Sequence, residues 1–192
     1  MDTVCVIVGL GNPGRRYEGT RHNAGFAVAD SLAASLRAEP WKSWLNLGEV
    51  SRADAGGKTV FLVKPLTYMN ESGRMIRSFA DYHKIQPQEV LICYDDFALE
   101  LGRVRLRKSG SSGGQQGMES VLGLMGTEMI PRLRIGIGPK PPLIEWKDFV
   151  LSKFSGEEKP IFAQSLETAR QAALMAVEKG LEAAMNRFNG GG

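Results

Sequence analysis

The segment LGNPGRRYEGTRHNAGF, residues 10–26, carries one of only two histidines in a chain of 192 residues. An imidazole titrates near neutrality, so His22 is a candidate general base, and Asn23 sets a polar group beside it. The glycines around Asn12 allow backbone to approach a ligand closely. A base of this kind needs a partner that holds its tautomer, and the adjacent carboxylates Asp95 and Asp96 close a second apolar run, VLICYDD. Carboxylates at the carboxyl end of a sheet strand sit where open α/β folds hold their ligands, so one of them can orient the imidazole. The plain alternatives are a structural histidine and two loop carboxylates that cap a turn.

A third apolar run leads into KPLTYMNESG, residues 64–73, which brings Lys64, Tyr68, Met69 and Asn70 to the same kind of strand end. The Asn70 amide can donate and accept toward a ligand, or it can cap the helix that Glu71 and Ser72 begin. Strand periodicity places Arg103, Arg105 and Arg107 of GRVRLRK on one face, and it groups Arg132 with Arg134 in PRLRIG for the same reason. Such stripes suit phosphate oxygens, with a solvated face as the plain alternative. The SGSSGG stretch that follows the first stripe offers backbone N–H groups nearby. His83, at the end of FADYHK, reads as an exposed residue at a helix C-terminus with no function.

Two other chemistries are disfavoured. Gly9, Gly11 and Gly14 match GxGxxG, but Pro13 and RRYEGTRHN show no helical apolar period, so no helix start is placed to meet a pyrophosphate. Two distant histidines, with Cys5 and Cys93 inside apolar runs, give no metal-ligand spacing. No metal and no cofactor are expected, and both thiols read as reduced and buried.

Strands must carry these groups to one place. Residues 4–8, 45–52, 59–64, 90–94, 103–107, 133–137 and 149–151 read as strands. Helices are expected over 23–36, with Asn23 as N-cap, and over 71–83 and 114–124. After Ser155, apolar residues at Phe162, Leu166, Ala169, Ala173 and Val177 keep helical spacing up to a break at Gly180. The alternation predicts an α/β fold: a single domain with a mixed, mostly parallel twisted sheet flanked by helices, and a long C-terminal helical segment. No linker divides the chain, so residues 1–189 are expected to form one domain and 190–192 a flexible glycine tail.

Composition fits such a domain. With 43% apolar and 23% charged residues the chain can bury a real core, which argues against disorder and fibre. No apolar run is long enough to span a bilayer, and the first residues lack the basic start and apolar stretch of a secretion signal. A cytoplasmic protein with no membrane partner is expected. The net charge of +3 argues little for a polyanionic partner by itself; the clustering of cations around the glycine-rich segments says more.

In order along the chain, GLGNPGRRYEGTRHNAGF, KPLTYMNESG, YDDFALELGRVRLRKSGSSGG, PRLRIGIG, FVLSKF and MNRFN resemble the motif set of bacterial peptidyl-tRNA hydrolases over nearly the whole length. The resemblance implies a single-domain α/β enzyme of translation, a monomer, that hydrolyses the ester joining a peptide to tRNA without a metal. Its partner would be peptidyl-tRNA. The resemblance also implies His22 as the catalytic base, Asp95 as the carboxylate that orients it, and Asn12 as the residue that separates N-blocked from free aminoacyl-tRNA. Tyr17, Tyr68 and Asn70 match substrate-binding positions, Asn23 and Met69 adjoin them, and Arg105, Arg107 and Arg134 would meet tRNA phosphates. Two departures stand out. Gln115, Gln116 and Gly117 replace the family's usual HNG, which moves the substrate-binding amide out by one methylene at Gln116, and Ala98 replaces a second family aspartate. A non-hydrolytic RNA-binding relative, like the plastid intron-splicing factors that resemble this family, is the rival; loss of His22 or Asp95 would favour it, and both are present.

Overall fold

The computed structural model describes residues 4–190. The apolar run near the start of the chain forms β1 (Val6–Gly9), buried along its whole length as a strand covered on both faces must be. After a long loop come α1 (Ala24–Ser35), β2 (Lys42–Trp44), β3 (Gly48–Ala55) and β4 (Lys58–Pro65). Then follow α2 (Ser72–His83), β5 (Val90–Glu100), β6 (Val104–Arg107), α3 (Gln116–Met125) and β7 (Arg132–Gly138). The last elements are α4 (Trp146–Leu151), α5 (Glu158–Glu178) and α6 (Leu181–Phe188).

Among the described residues the strands form one sheet in the order β2-β3-β4-β1-β5-β7-β6. β4, β1, β5 and β7 run parallel at its centre, while β2, β3 and β6 pair antiparallel at the margins. The two-residue period of a strand sorts the core into two layers. Ile7, Leu62, Leu91 and Leu133 pack with α1, α5 and α6, and Val6, Val8, Val63 and Ile92 pack with α2 and α3. α5 turns Ala169, Ala172, Ala173 and Ala176 inward, and these short side chains let a long helix lie close to the sheet. Contact between β1 and α1 is closer still, because a Cβ on Gly9 would fall 2.2 Å from the carbonyl oxygen of Gly25. Gly14, at φ 103°, makes the turn that follows. The glycines of the apparent dinucleotide motif therefore serve packing and a turn.

The single-domain mixed α/β architecture and the long C-terminal helix match expectation, and four differences have local causes. Residues 149–151 are the end of helix α4: Phe149 packs on Phe154 and Ile137 in a small third cluster, and a three-residue apolar run does not distinguish helix from strand. Residues 45–52 are not one strand, because Leu45 and Asn46 take positive φ of 48° and 56° and turn β2 back onto β3. Asn23 precedes α1 without capping it, its side chain being engaged elsewhere. Cys5 is only half-buried, whereas Cys93 is fully enclosed. Of the expected glycine tail, residues 191–192 lie outside the described residues. Among the described residues no helix is long and apolar enough to cross a membrane. At the margin of the sheet, the Asn189 side chain accepts from the Leu106 N–H at 2.8 Å and donates to its carbonyl at 2.9 Å.

Candidate active site

The parallel strands end on one side of the sheet, and the loops leaving β1, β4 and β5 meet there around a cleft of about 660 Å³. Asn12 follows β1, Tyr68, Met69 and Asn70 follow β4, Asp95 lies within β5, and His22 sits in a short helical turn ahead of α1. His22 and Asp95 are 73 residues apart in sequence, yet Nδ1 of the imidazole lies 2.9 Å from Asp95 Oδ2, both side chains being almost wholly buried. Burial by itself would lower the His22 pKa. The charge of Asp95 and its hydrogen bond outweigh that effect and raise the pKa above the ordinary value. With Nδ1 donating to the carboxylate, Nε2 is the basic nitrogen.

The neighbouring amides form a scaffold. Asn23 accepts from the Asn12 N–H at 2.8 Å and donates to the Asn12 carbonyl at 3.0 Å, which pins the Asn12 backbone to the turn that carries His22. The Asn12 side-chain oxygen accepts from the Met69 N–H at 2.8 Å, joining the loops after β1 and β4. That bond fixes the amide's orientation and leaves Nδ2, which no described residue bonds, for the cleft. Beneath the pair, the Gln115 Nε2 donates to Asp95 Oδ1 at 3.0 Å.

The opposite wall of the cleft is apolar, with Phe97, Trp146, Val150 and Leu151 exposed to it. Phe97 and Trp146 lie against each other with ring centroids 3.7 Å apart. Arg21, beside the base, holds this wall in place: it donates to Ser152 Oγ at 3.1 Å and to both oxygens of Glu158, and its guanidinium lies 4.7 Å from the rings of Phe149 and Phe154.

A buried histidine–aspartate pair facing a half-apolar cleft is equipped for hydrolysis, and comparison with known proteins supplies the family. A family model described as peptidyl-tRNA hydrolase matches residues 6–192. The chain belongs to the peptidyl-tRNA hydrolase family. It is 52% identical to the peptidyl-tRNA hydrolase of Elusimicrobium minutum over 186 residues, covering 97% of this chain and 99% of that protein. The enzyme of Aquifex aeolicus is 44% identical over 187 residues, with 97% of this chain and 96% of that one covered. A crystal structure of peptidyl-tRNA hydrolase from Acinetobacter baumannii superposes with a TM-score of 0.92 at 33% identity, covering 99% and 96% of the two chains.

Of the residues singled out in the sequence, this hydrolase fold brings His22, Asp95, Asn12, Tyr17, Tyr68, Met69, Asn70 and Gln116 to the cleft. Asn23 stands behind them, bound to Asn12. The arginines lie elsewhere. Arg105 and Arg107 are exposed on β6, opposite Arg134 and Arg132 of β7, so the four share a face of the sheet. Arg134 is hydrogen-bonded to Asp96. Arg132 is buried and donates to the carbonyls of Gly110, Ser111, Glu128 and Ile130, tethering the glycine-rich segment rather than meeting solvent. Sequence reasoning missed Gln115 and the Phe97–Trp146 wall. An aromatic residue directly after the proline-rich PKPPLIE, and a glutamine three residues before a helical N–H, were the available signals.

Proposed function

We propose a division of labour for the hydrolysis of peptidyl-tRNA that characterises this family. His22 Nε2 takes a proton from water, and the water oxygen attacks the carbonyl carbon of the ester between peptide and terminal ribose. Asp95 holds the imidazole and stabilises the imidazolium that forms. The free Nδ2 of Asn12, with the Asn70 amide, donates to the developing oxyanion, a contribution of about 10²–10³ in rate per hydrogen bond. Collapse of the intermediate breaks the carbon–oxygen bond to the ribose, the imidazolium returns its proton to the leaving oxygen, and free peptide and tRNA result.

The observation that carries this reading is the buried His22–Asp95 contact at 2.9 Å, with the Asn12 Nδ2 left for the same cleft. Tyr17, Tyr68, Met69 and Gln116 would line the path of the substrate. Arg105, Arg107 and Arg134 would face tRNA phosphates, so KM should rise with salt, and removing Arg105 or Arg107 should reduce the salt slope by about one each. A monomer acting in the cytoplasm, with residues 1–189 as its one domain, fits this substrate. The experiment is release of N-blocked amino acid from an N-acyl-aminoacyl-tRNA, with chelator present and His22→Ala beside it. Cleavage that survives chelator and vanishes in the variant supports the assignment; binding of tRNA without cleavage by the intact protein would transfer the case to the RNA-binding rival.

A further inference from the structure

We propose that Gln115 is a positioning residue of this site: its amide, fixed at one end by the start of α3, holds the Asp95 carboxylate in the orientation that accepts the His22 Nδ1 proton. The proposal rests on the reading of His22 as the base.

The argument begins at the start of α3, where the first N–H groups of a helix have no backbone acceptor. The Gln115 Oε1 accepts one of them, from Met118, at 2.7 Å. A backbone N–H can only donate, so the atom that meets it is the side-chain oxygen, and flipping the amide would set two donors against each other. The other end of the amide is therefore NH2, and it lies 3.0 Å from Asp95 Oδ1 and 3.5 Å from Met69 Sδ. Asp95 Oδ1 is thereby held as an acceptor, and Oδ2 remains for His22 Nδ1 at 2.9 Å. Nδ1 must then donate, which leaves the lone pair of the neutral ring on Nε2. Donation converges on the Asp95 carboxylate, from the Gln115 amide on one oxygen and from the imidazole on the other. Gln115 is 8% exposed and Asp95 3%, so water does not compete at either link.

The chemistry of the side chain matters, as comparison with an imidazole in its place makes plain. An imidazole here has two tautomers and titrates near neutrality, whereas an amide has one donating end and does not titrate. The other charged or titratable groups nearby leave the relay alone. Tyr17, Tyr68 and Lys147 line the cleft without bonding either member of the pair, Asp96 is taken by Arg134, and Arg21 is taken by Glu158. Among the described residues, Gln115 and His22 are the side chains hydrogen-bonded to the Asp95 carboxylate.

The direct readout is an imidazole ¹⁵N and ¹H NMR titration, with steady-state kinetics on the full chain. The chain has two histidines, and His83 lies outside the cleft. Gln115→Met keeps the length of the side chain and removes both polar ends. Gln115→Ser supplies a helix N-cap but cannot reach Asp95, which separates capping from relay. In both variants the His22 pKa should move down, its Nδ1-protonated signature should weaken, and kcat should fall about 10- to 100-fold with KM little changed, the usual scale for a partner one step behind a reacting group. The Ser variant should melt close to the parent. A normal His22 titration and normal kcat in Gln115→Ser would overturn the proposal, as would a Gln115→Met that loses stability alone. Should the parent chain hydrolyse no ester, the functional reading fails, and the NMR titration still decides the role of Gln115.

Discussion

The two histidines of this chain stand in opposite surroundings. His22 is buried at the foot of the cleft with a carboxylate against one ring nitrogen. His83 is exposed at the end of α2, and its ring lies among aromatic faces: Phe79 at 4.3 Å, Tyr82 at 4.9 Å, Phe61 at 5.1 Å and Trp44 at 5.5 Å between centroids. The same side chain meets a carboxylate in one place and aromatic rings in the other. What decides is whether a neighbour addresses the nitrogens at the ring's edge or covers its faces.

Substitutions can break that contrast, beginning with the largest effect. His22→Ala should lower kcat/KM for N-acyl-aminoacyl-tRNA by about 10²–10⁴, the range for a general base, while the far-UV spectrum stays near the parent's. In the other neighbourhood, Phe79→Ala should cost about 3–5 kcal/mol in denaturant unfolding, since Phe79 is 2% exposed in the α2 core, with KM and kcat unchanged where the protein remains folded. The pH dependence sharpens the contrast further. A base must be neutral, so kcat/KM should rise with pH through a midpoint above 6.5, and Asp95→Asn should move any residual activity to a lower midpoint, because burial is then unopposed. The sign for stability is the reverse: the raised His22 pKa contributes stability that is full below the unfolded value and lost as pH rises through the folded one, which urea titrations across that window would register. The smallest effect is expected for His83→Leu, which should leave kcat/KM within about twofold and change unfolding free energy by less than about 1 kcal/mol.

Much of this arrangement was legible from the chain itself. Apolar runs that end in Gly9, Pro65 and the Asp95–Asp96 pair mark the central strands, and because parallel strands place their carboxyl ends together, His22, Asn70 and Asp95 could be expected to meet. The partner choices were less legible. Asn23 looked like a helix cap, but only the folded chain brings the Asn12 backbone within reach of both ends of its amide. Gln116 drew notice as the altered substrate amide, whereas its neighbour Gln115 faces Asp95; adjacent positions at a helix start point in different directions, and no sequence period separates them. Arg132 and Arg134 alternate on one strand face as predicted, yet one is buried against carbonyls and the other is bound to Asp96, since burial depends on what packs over the strand. The FVL run of α4 was too short to declare its period.

The contact between Asn189 and Leu106 has a consequence for self-association. A marginal strand such as β6 presents unpaired N–H and C=O groups, and those groups are a template on which a second extended chain can add. Here a side-chain amide reproduces the donor and acceptor of a peptide group and occupies both polar atoms of Leu106 in the middle of β6. This margin of the sheet is closed at Leu106 by one residue of the C-terminal segment, and a strand adding along β6 would have to displace it there.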